Sequence, residues 1–400
     1  MEGSTVAAAP GAEEVSLVRS RLARLLERNG WEALVIAGSE NGQHATGWDM
    51  EIVRYWPDRP LITVVLRSGE TVLVVWQEMV KMGKRPGPFA DDLAGYSRGG
   101  DGPKTAGEAV VAVLREHGVT SGSVGLEKSR ASLVFFERLA SDLPGVEWVA
   151  ADEELALLRM VKTTRELEAL RSAAQRADSA FWAAIEDARP GDSELDLAGR
   201  IRASAAEHGC LVTMLTVCAG ERACAVNEPT DRPIVDGDII RVDFNMRYGA
   251  FHLDDVYYGG YFADIGRMAV MGQPSQEQLD AYREQVELKQ RIIDFVRPGR
   301  TASEIYAHYR KCADEMGVTL FLLPSIGVGH GIGIVNDEAP RLVATDTTVI
   351  EAGMALALEP DTVGPGDALM HVEDVVAVSD EGAELLTWSR DWSELPVLGT

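Results

Sequence analysis

The chain has 400 residues, 46% hydrophobic and 25% charged, which is the composition of a globular protein long enough for about two cores. Its formal net charge of −25 argues against a nucleic-acid partner, because a phosphate backbone is held by basic patches. No apolar run approaches the roughly 18 residues that cross a bilayer, so no membrane association is expected.

Residues 1–13 are rich in small side chains, lack a basic leader and an apolar stretch, and read as a disordered tail. Val15, Val18, Leu22, Leu25 and Leu26 then recur at helical spacing, and Asn29-Gly30 closes that helix. Ala33 to Ala37 reads as a buried strand. Leu61 to Leu66 and Thr71 to Trp76 are β-rich runs joined through Ser68-Gly69, the pattern of a hairpin. Thr105 to His117 is a second amphipathic helix and Gly122 to Leu126 a further strand. Residues 14–155 are therefore expected to form an α/β domain with no chemical motif of its own.

A second domain is expected over residues 156–400. Thr163 with Glu166 three residues on predicts a capping box and a long helix reaching Pro190-Gly191. Beyond it lies a repeat. Arg189-Pro190-Gly191 returns as Arg297-Pro298-Gly299, each followed without gaps by a helix ending at Gly209 or Gly317. Leu197 aligns with Ile305, Arg202 with Arg310, Ala205 with Ala313 and Glu207 with Glu315. Two amphipathic helices could match by chance. The strand up to Asp243 and the strand up to Glu359, each preceded by a glycine (Gly237, Gly353), extend the match and favour a duplicated unit with pseudo-twofold symmetry. The four cysteines, Cys210, Cys218, Cys224 and Cys312, show no CxxC spacing, so a reducing cytoplasm is expected and a thiolate metal site is not.

The repeat puts acids in equivalent places. Asp243 and Glu359 are expected to end apolar strands, and the strand after each carries a second acid, Asp264 or Glu373. Strand-end acids often face water, but four converging from two hairpins repel one another unless a cation lies between them. His330, in Gly329-His330-Gly331-Ile332-Gly333, has glycines on both sides that leave an imidazole room to reach a metal. Four carboxylates and one imidazole make an oxygen-rich site suited to two divalent ions, with manganese, iron or cobalt favoured and zinc possible. Such a pair can activate a shared water, and the bridging hydroxide is the expected nucleophile.

Those residues carry a resemblance. Arg241-Val242-Asp243, Gly260-Tyr261 with Asp264, Gly329-His330-Gly331-Ile332-Gly333, Leu358-Glu359-Pro360 and Val372-Glu373-Asp374 resemble the pita-bread metallohydrolases: Xaa-Pro aminopeptidases, prolidases, methionine aminopeptidases and creatinase. The resemblance implies an α+β pita-bread catalytic domain behind a creatinase-type N-terminal α/β domain, and a homodimer. It also implies that a neighbouring subunit's N-terminal segment can reach the site, which makes Arg54 and Tyr55, beside Trp48 and Trp56, candidate substrate contacts.

Three departures stand out. Asp243 and Asp264 are 21 positions apart, where relatives space them by about ten, so a longer hairpin loop (Met246 to Gly259) is expected, with Asp254 the alternative second ligand. The peptidases' histidine ahead of Pro-Thr-Asp-Arg is replaced by Val226-Asn227, and their His-Glu-x-Pro is here Asp337-Glu338-Ala339-Pro340. His371 stands where relatives often place an arginine, which makes it a candidate substrate anchor along with Asn227 and Asp337. The expected activity is hydrolysis of a C–N bond in a dipeptide-sized or non-peptide small molecule. Glu359 is the proton shuttle, His330 supports the reaction, and Asp337 selects a cationic or N–H-bearing substrate. The alternatives are a conventional Xaa-Pro peptidase, a lyase on the same fold, and a metal-free binding or scaffold protein.

Overall fold

A computed structural model describes residues 12–48, 56, 58–81, 90–99, 101–248, 260–321, 327–387 and 393–399. The chain divides into two compact units between Arg159 and Met160, four residues past the expected boundary.

The first unit is built around a mixed sheet with strand order β4-β3-β2-β1-β5-β6. In chain order its elements are α1 (Ala12–Asn29), β1 (Ala33–Ile36), α2 (Ser39–Thr46), β2 (Ile62–Leu66), β3 (Thr71–Trp76), α3 (Gln77–Lys81) and β4 (Asp92–Tyr96). There follow α4 (Ala106–Glu116), β5 (Ser121–Leu126), α5 (Leu133–Asp142), β6 (Gly145–Ala150) and α6 (Asp152–Met160). Val18, Leu22, Leu25 and Leu26 form the buried stripe of α1 and pack with Leu34 and Ile36 of β1. The β2–β3 pair is antiparallel about Gly69, whose φ of +89° is accessible to glycine at little cost. The tail expected as far as residue 13 is two residues too long, since α1 already includes Ala12 and Glu13. Arg54 and Tyr55 lie outside the described residues.

In the second unit the duplication is visible in hydrogen bonds as well as in sequence. Its helices are α7 (Thr164–Ile185), α8 (Glu194–Glu207), α9 (Gln276–Phe295) and α10 (Ala302–Met316), and all four open on a capping box. Gly191 N–H donates to Ile234 O at 2.8 Å, and its repeat equivalent Gly299 donates to Ile350 O at 2.9 Å. Likewise Gly237 donates to Met271 O at 2.7 Å and Gly353 to Val378 O at 2.8 Å. Leu197 and Ile305, like Ala205 and Ala313, are fully buried. The long helix is shorter than expected and ends at Ile185, ahead of Pro190-Gly191.

The first half contributes β7 (Cys210–Ala219), β8 (Ile239–Tyr248) and β9 (Tyr261–Met271). The second contributes β10 (Gly329–Gly331), β11 (Glu338–Arg341), β12 (Ala355–Leu358), β13 (Thr362–Val363), β14 (Leu369–Met370), β15 (Asp374–Ser379) and β16 (Gly382–Leu385), with β17 (Val397–Leu398) last. Two sheets result, β17-β9-β8-β7 and β11-β10-β12-β15-β16, besides the small β13–β14 pair.

Asp243 does not end its strand. Strand β8 continues to Tyr248 because Ile240, Val242, Phe244, Met246 and Tyr248 alternate into one apolar core, leaving Arg241, Asp243, Asn245 and Arg247 on the opposite face. Asp264 is likewise inside β9 and not at its end. Of the expected loop, Met246 to Tyr248 belong to the strand, and residues 249–259, Asp254 among them, lie outside the described residues.

Between the two sheets Arg267 is wholly buried. Its guanidinium donates to Asp178 at 3.0 Å, to Asp374 at 2.9 Å and to the carbonyls of Gly266 and Glu373. Asp374 also accepts from Lys289 and from Thr387 Oγ1, the latter at 2.6 Å.

Candidate metal centre

Antiparallel pairing of β8 and β9 sets Asp243 opposite Gly266 and Asn245 opposite Asp264. In the other sheet β10 lies beside β12, so that His330 pairs with Ala357, and Glu359 immediately follows β12. Glu373 sits just before β15, tied to the first sheet by its N–H, which donates to Gly266 O at 3.1 Å. These placements bring all five expected ligands into one buried cluster.

His330 Nε2 lies 3.6 Å from Asp264 Oδ2 and 3.7 Å from Glu359 Oε1. Its Nδ1 faces the Gly331 carbonyl at 2.9 Å, which can only accept, so Nδ1 carries a proton and Nε2 is the nitrogen turned to the acids. Two groupings of possible ligand atoms emerge, Asp243 with His371 and Glu373, and Asp264 with His330 and Glu373. Glu373 belongs to both.

Several partners went unread in the sequence. Arg241 Nη2 donates to Asp243 Oδ2 at 3.0 Å, Asn336 Nδ2 donates to Asp264 Oδ2 at 2.7 Å, and Asn245 donates to Asp264 Oδ1. Arg241 and Asn245 had a usable signal, their spacing of two from Asp243, which puts them on its face of the strand. Asn336 had none, and neither did Asp361, whose carboxylate meets His371 Nδ1 at 2.7 Å, since each reaches the cluster from a loop.

Two groups expected to contact substrate are placed otherwise. Asp337 is exposed and ion-paired with Arg341 at 2.5 Å, although it stays near enough to His330 for its charge to favour the imidazolium. His371, expected as a substrate anchor, is 1% exposed with its ring turned in among the carboxylates. Asn227 is half-buried, and its backbone carbonyl accepts from Cys218 Sγ.

The donor set fits divalent cations. Burial above all holds the Asp243, Glu359 and Glu373 carboxyls above their usual range, and neighbouring acids add to it, Asp264 beside Asp243 and Asp264, Glu359 and Asp243 around Glu373. Glu373 Oε1 and His371 Nε2 are buried with no hydrogen-bond partner among the described residues. Charges so crowded ionise together only if positive charge joins them.

A pH dependence follows for the metal-free protein. Burial opposes the His330 charge, but Asp264 and then Glu359 outweigh it and push the imidazole up to about 9. A folded pKa raised above the unfolded one gives stability that is present at low pH and lost as pH climbs through the folded value. The raised carboxyls carry the same sign. Chelator-treated protein is therefore expected to lose thermal stability from pH 6.5 towards about 9. Added Mn²⁺ should restore more of the melting temperature at the upper end, where its ligands are deprotonated. A metal-free melting temperature that rises over this interval would contradict the assignment.

Known proteins resemble this chain in both of its units. Residues 168–380 match Metallopeptidase family M24, and residues 19–161 match the Creatinase/Prolidase N-terminal domain. The Xaa-Pro dipeptidase of Pyrococcus furiosus is 30% identical over 246 residues, which are 60% of this chain and 67% of that protein. Among solved structures, the Xaa-Pro dipeptidase from Bacillus anthracis aligns with a TM-score of 0.81 at 22% identity, covering 96% of this chain and 100% of that one. Dipeptidase PepE from Mycobacterium ulcerans aligns with a TM-score of 0.76 at 25% identity, covering 98% and 100% respectively.

Proposed function

The chain belongs to metallopeptidase family M24, with a pita-bread catalytic domain behind a creatinase-type N-terminal domain, and from that premise we propose that it hydrolyses a C–N bond in a dipeptide-sized substrate using two divalent ions. The observation that carries this reading is the buried meeting of Asp243, Asp264, Glu359 and Glu373 with His330. The ions, manganese, iron or cobalt by the oxygen-rich donor set, would polarise the substrate and supply an activated water. Arg241, Asn245 and Asn336 fix the carboxylates of Asp243 and Asp264, and the Gly331 carbonyl fixes the His330 tautomer. Glu359, whose carboxyl burial raises well above its ordinary range, is assigned to take up and return the reaction proton. Four free cysteines suit a reducing, cytoplasmic setting.

Relatives named Xaa-Pro dipeptidase favour a peptide substrate. A second reading, a small non-peptide amide or amidine, is favoured by Asn227 and Asp337 standing where the resemblance calls for imidazoles. A panel of Xaa-Pro dipeptides and non-peptide amidines, assayed with Mn²⁺-loaded and chelated protein, separates the two. Metal-dependent cleavage of one class is expected, and no C–N cleavage of either would end the proposal. Asp337→Asn should change kcat/KM by less than about 3-fold on the substrate found, because an exposed i,i+4 ion pair contributes only about 0–1 kcal/mol. A loss of 10-fold or more would return Asp337 to the pocket.

A further inference from the structure

The metal centre already proposed leaves one buried imidazole unused. Building on that reading, we propose that His371 is itself a metal ligand, so that the centre offers one imidazole to each of two ions, with Glu373 shared between them.

The ring is aimed and has nothing else to do. Its Nδ1 meets Asp361 Oδ1 at 2.7 Å, and a carboxylate accepts, so the bond fixes the proton on Nδ1 and leaves the Nε2 lone pair free. That carboxylate–histidine pairing is the arrangement that orients imidazole ligands in metal sites. Nε2 lies 3.8 Å from Asp243 Oδ2 and 3.5 Å from Glu373 Oε2, and it has no hydrogen-bond partner among the described residues. Those separations are too long for hydrogen bonds. Donors sharing an ion at about 2.1 Å, at tetrahedral or somewhat wider angles, stand roughly 3.4–3.8 Å apart. The ligand His330 keeps the same spacing from Asp264 and Glu359, 3.6 and 3.7 Å.

The first sheet is shaped to receive this ring. Gly266, opposite Asp243 in the β8–β9 register, has no side chain at the point where the imidazole lies. A Cβ there would fall 2.1 Å from His371 Cδ2 and 2.2 Å from Nε2. The peptide of Gly266 also holds Glu373 through the N–H to O bond. One position of β9 thus seats both the imidazole and the shared carboxylate. His371 stands where the family resemblance calls for an arginine, so a fixed cation is exchanged for a donor able to bind one.

The test is spectroscopic and uses the full chain. Co²⁺ is titrated into metal-free wild type and His371→Ala against a chelating indicator, and X-ray absorption at the cobalt edge counts imidazoles. Wild type is expected to take two ions with about one imidazole per ion. His371→Ala should keep one ion and bind the other at least about 100-fold more weakly, and Asp361→Asn should weaken the same ion by about 10- to 100-fold. If His371→Ala does not fold, the imidazole count of wild type decides alone, since about half an imidazole per ion overturns the inference. Two ions of unchanged affinity in folded His371→Ala also overturn it, while leaving the centre standing. Wild type that takes up no Co²⁺ overturns the centre and this inference together.

Discussion

Glu373→Gln is expected to lower kcat/KM on the order of 1,000-fold and to reduce metal content below one ion per chain, with little change in the stability of the metal-free protein. Glu373 is the member common to both groupings of ligand atoms, so losing its charge touches both ions. Withdrawing Lewis-acid stabilisation worth several kcal/mol, about 4 here, corresponds to roughly three decades in rate. Burial, together with the charges of Asp264, Glu359 and Asp243, keeps the metal-free Glu373 carboxyl protonated well above the ordinary range. Glutamine is then close in shape and charge to what the metal-free protein already holds. Elemental analysis, steady-state kinetics and melting of chelated protein make the three readings. A Gln variant that kept two ions and full activity would remove Glu373 from the centre.

Arg267→Met is expected to cost about 3–5 kcal/mol of stability, a fall of roughly 10 °C in the melting temperature of the second unit. The guanidinium is the positive centre between Asp178 and Asp374, with no exposure of either carboxylate worth mention. Methionine fills the volume but leaves Asp178 without that partner and withdraws the donors to Gly266 O and Glu373 O, on both sides of the cluster. Lys289 still holds Asp374, so the damage should concentrate on Asp178. The double replacement Arg267→Met with Asp178→Leu should recover much of the loss, because removing both charges is far less costly than stranding one. Denaturant melts of the two variants check this, and a single variant as stable as the parent would show that the buried guanidinium is dispensable.

Much of the architecture could be read in the chain because it is written locally. The stripe of α1, the β2–β3 hairpin about Gly69 and the box of Thr163 with Glu166 each depend on residues a few positions apart, and each forms as expected. The meeting of the five proposed ligands was legible through their apolar strands and the glycines beside His330. An acid closing an apolar run does not mark the end of β8, because alternation carries the strand on past Asp243 through Phe244, Met246 and Tyr248. The setting of His371 had no local signal. Its direction depends on Gly266, more than a hundred positions earlier, and on Asp361 in a separate loop. Asp337 misled for the opposite reason, since a motif position says nothing of an arginine four residues on that holds the side chain at the surface.

The repeat divides the five proposed ligands unevenly, with Asp243 and Asp264 in the first half and His330, Glu359 and Glu373 in the second. Each grouping of candidate ligand atoms draws on both halves, so metal is expected to be held fully only after the halves have docked. Ions would then do little for the folding rate and would chiefly retard separation of the halves. By linkage, an ion at 100 times its dissociation constant adds about 2.7 kcal/mol to the resistance. Loaded protein should thus be long-lived against heat and proteases, while chelated protein refolds at nearly the same speed and opens sooner.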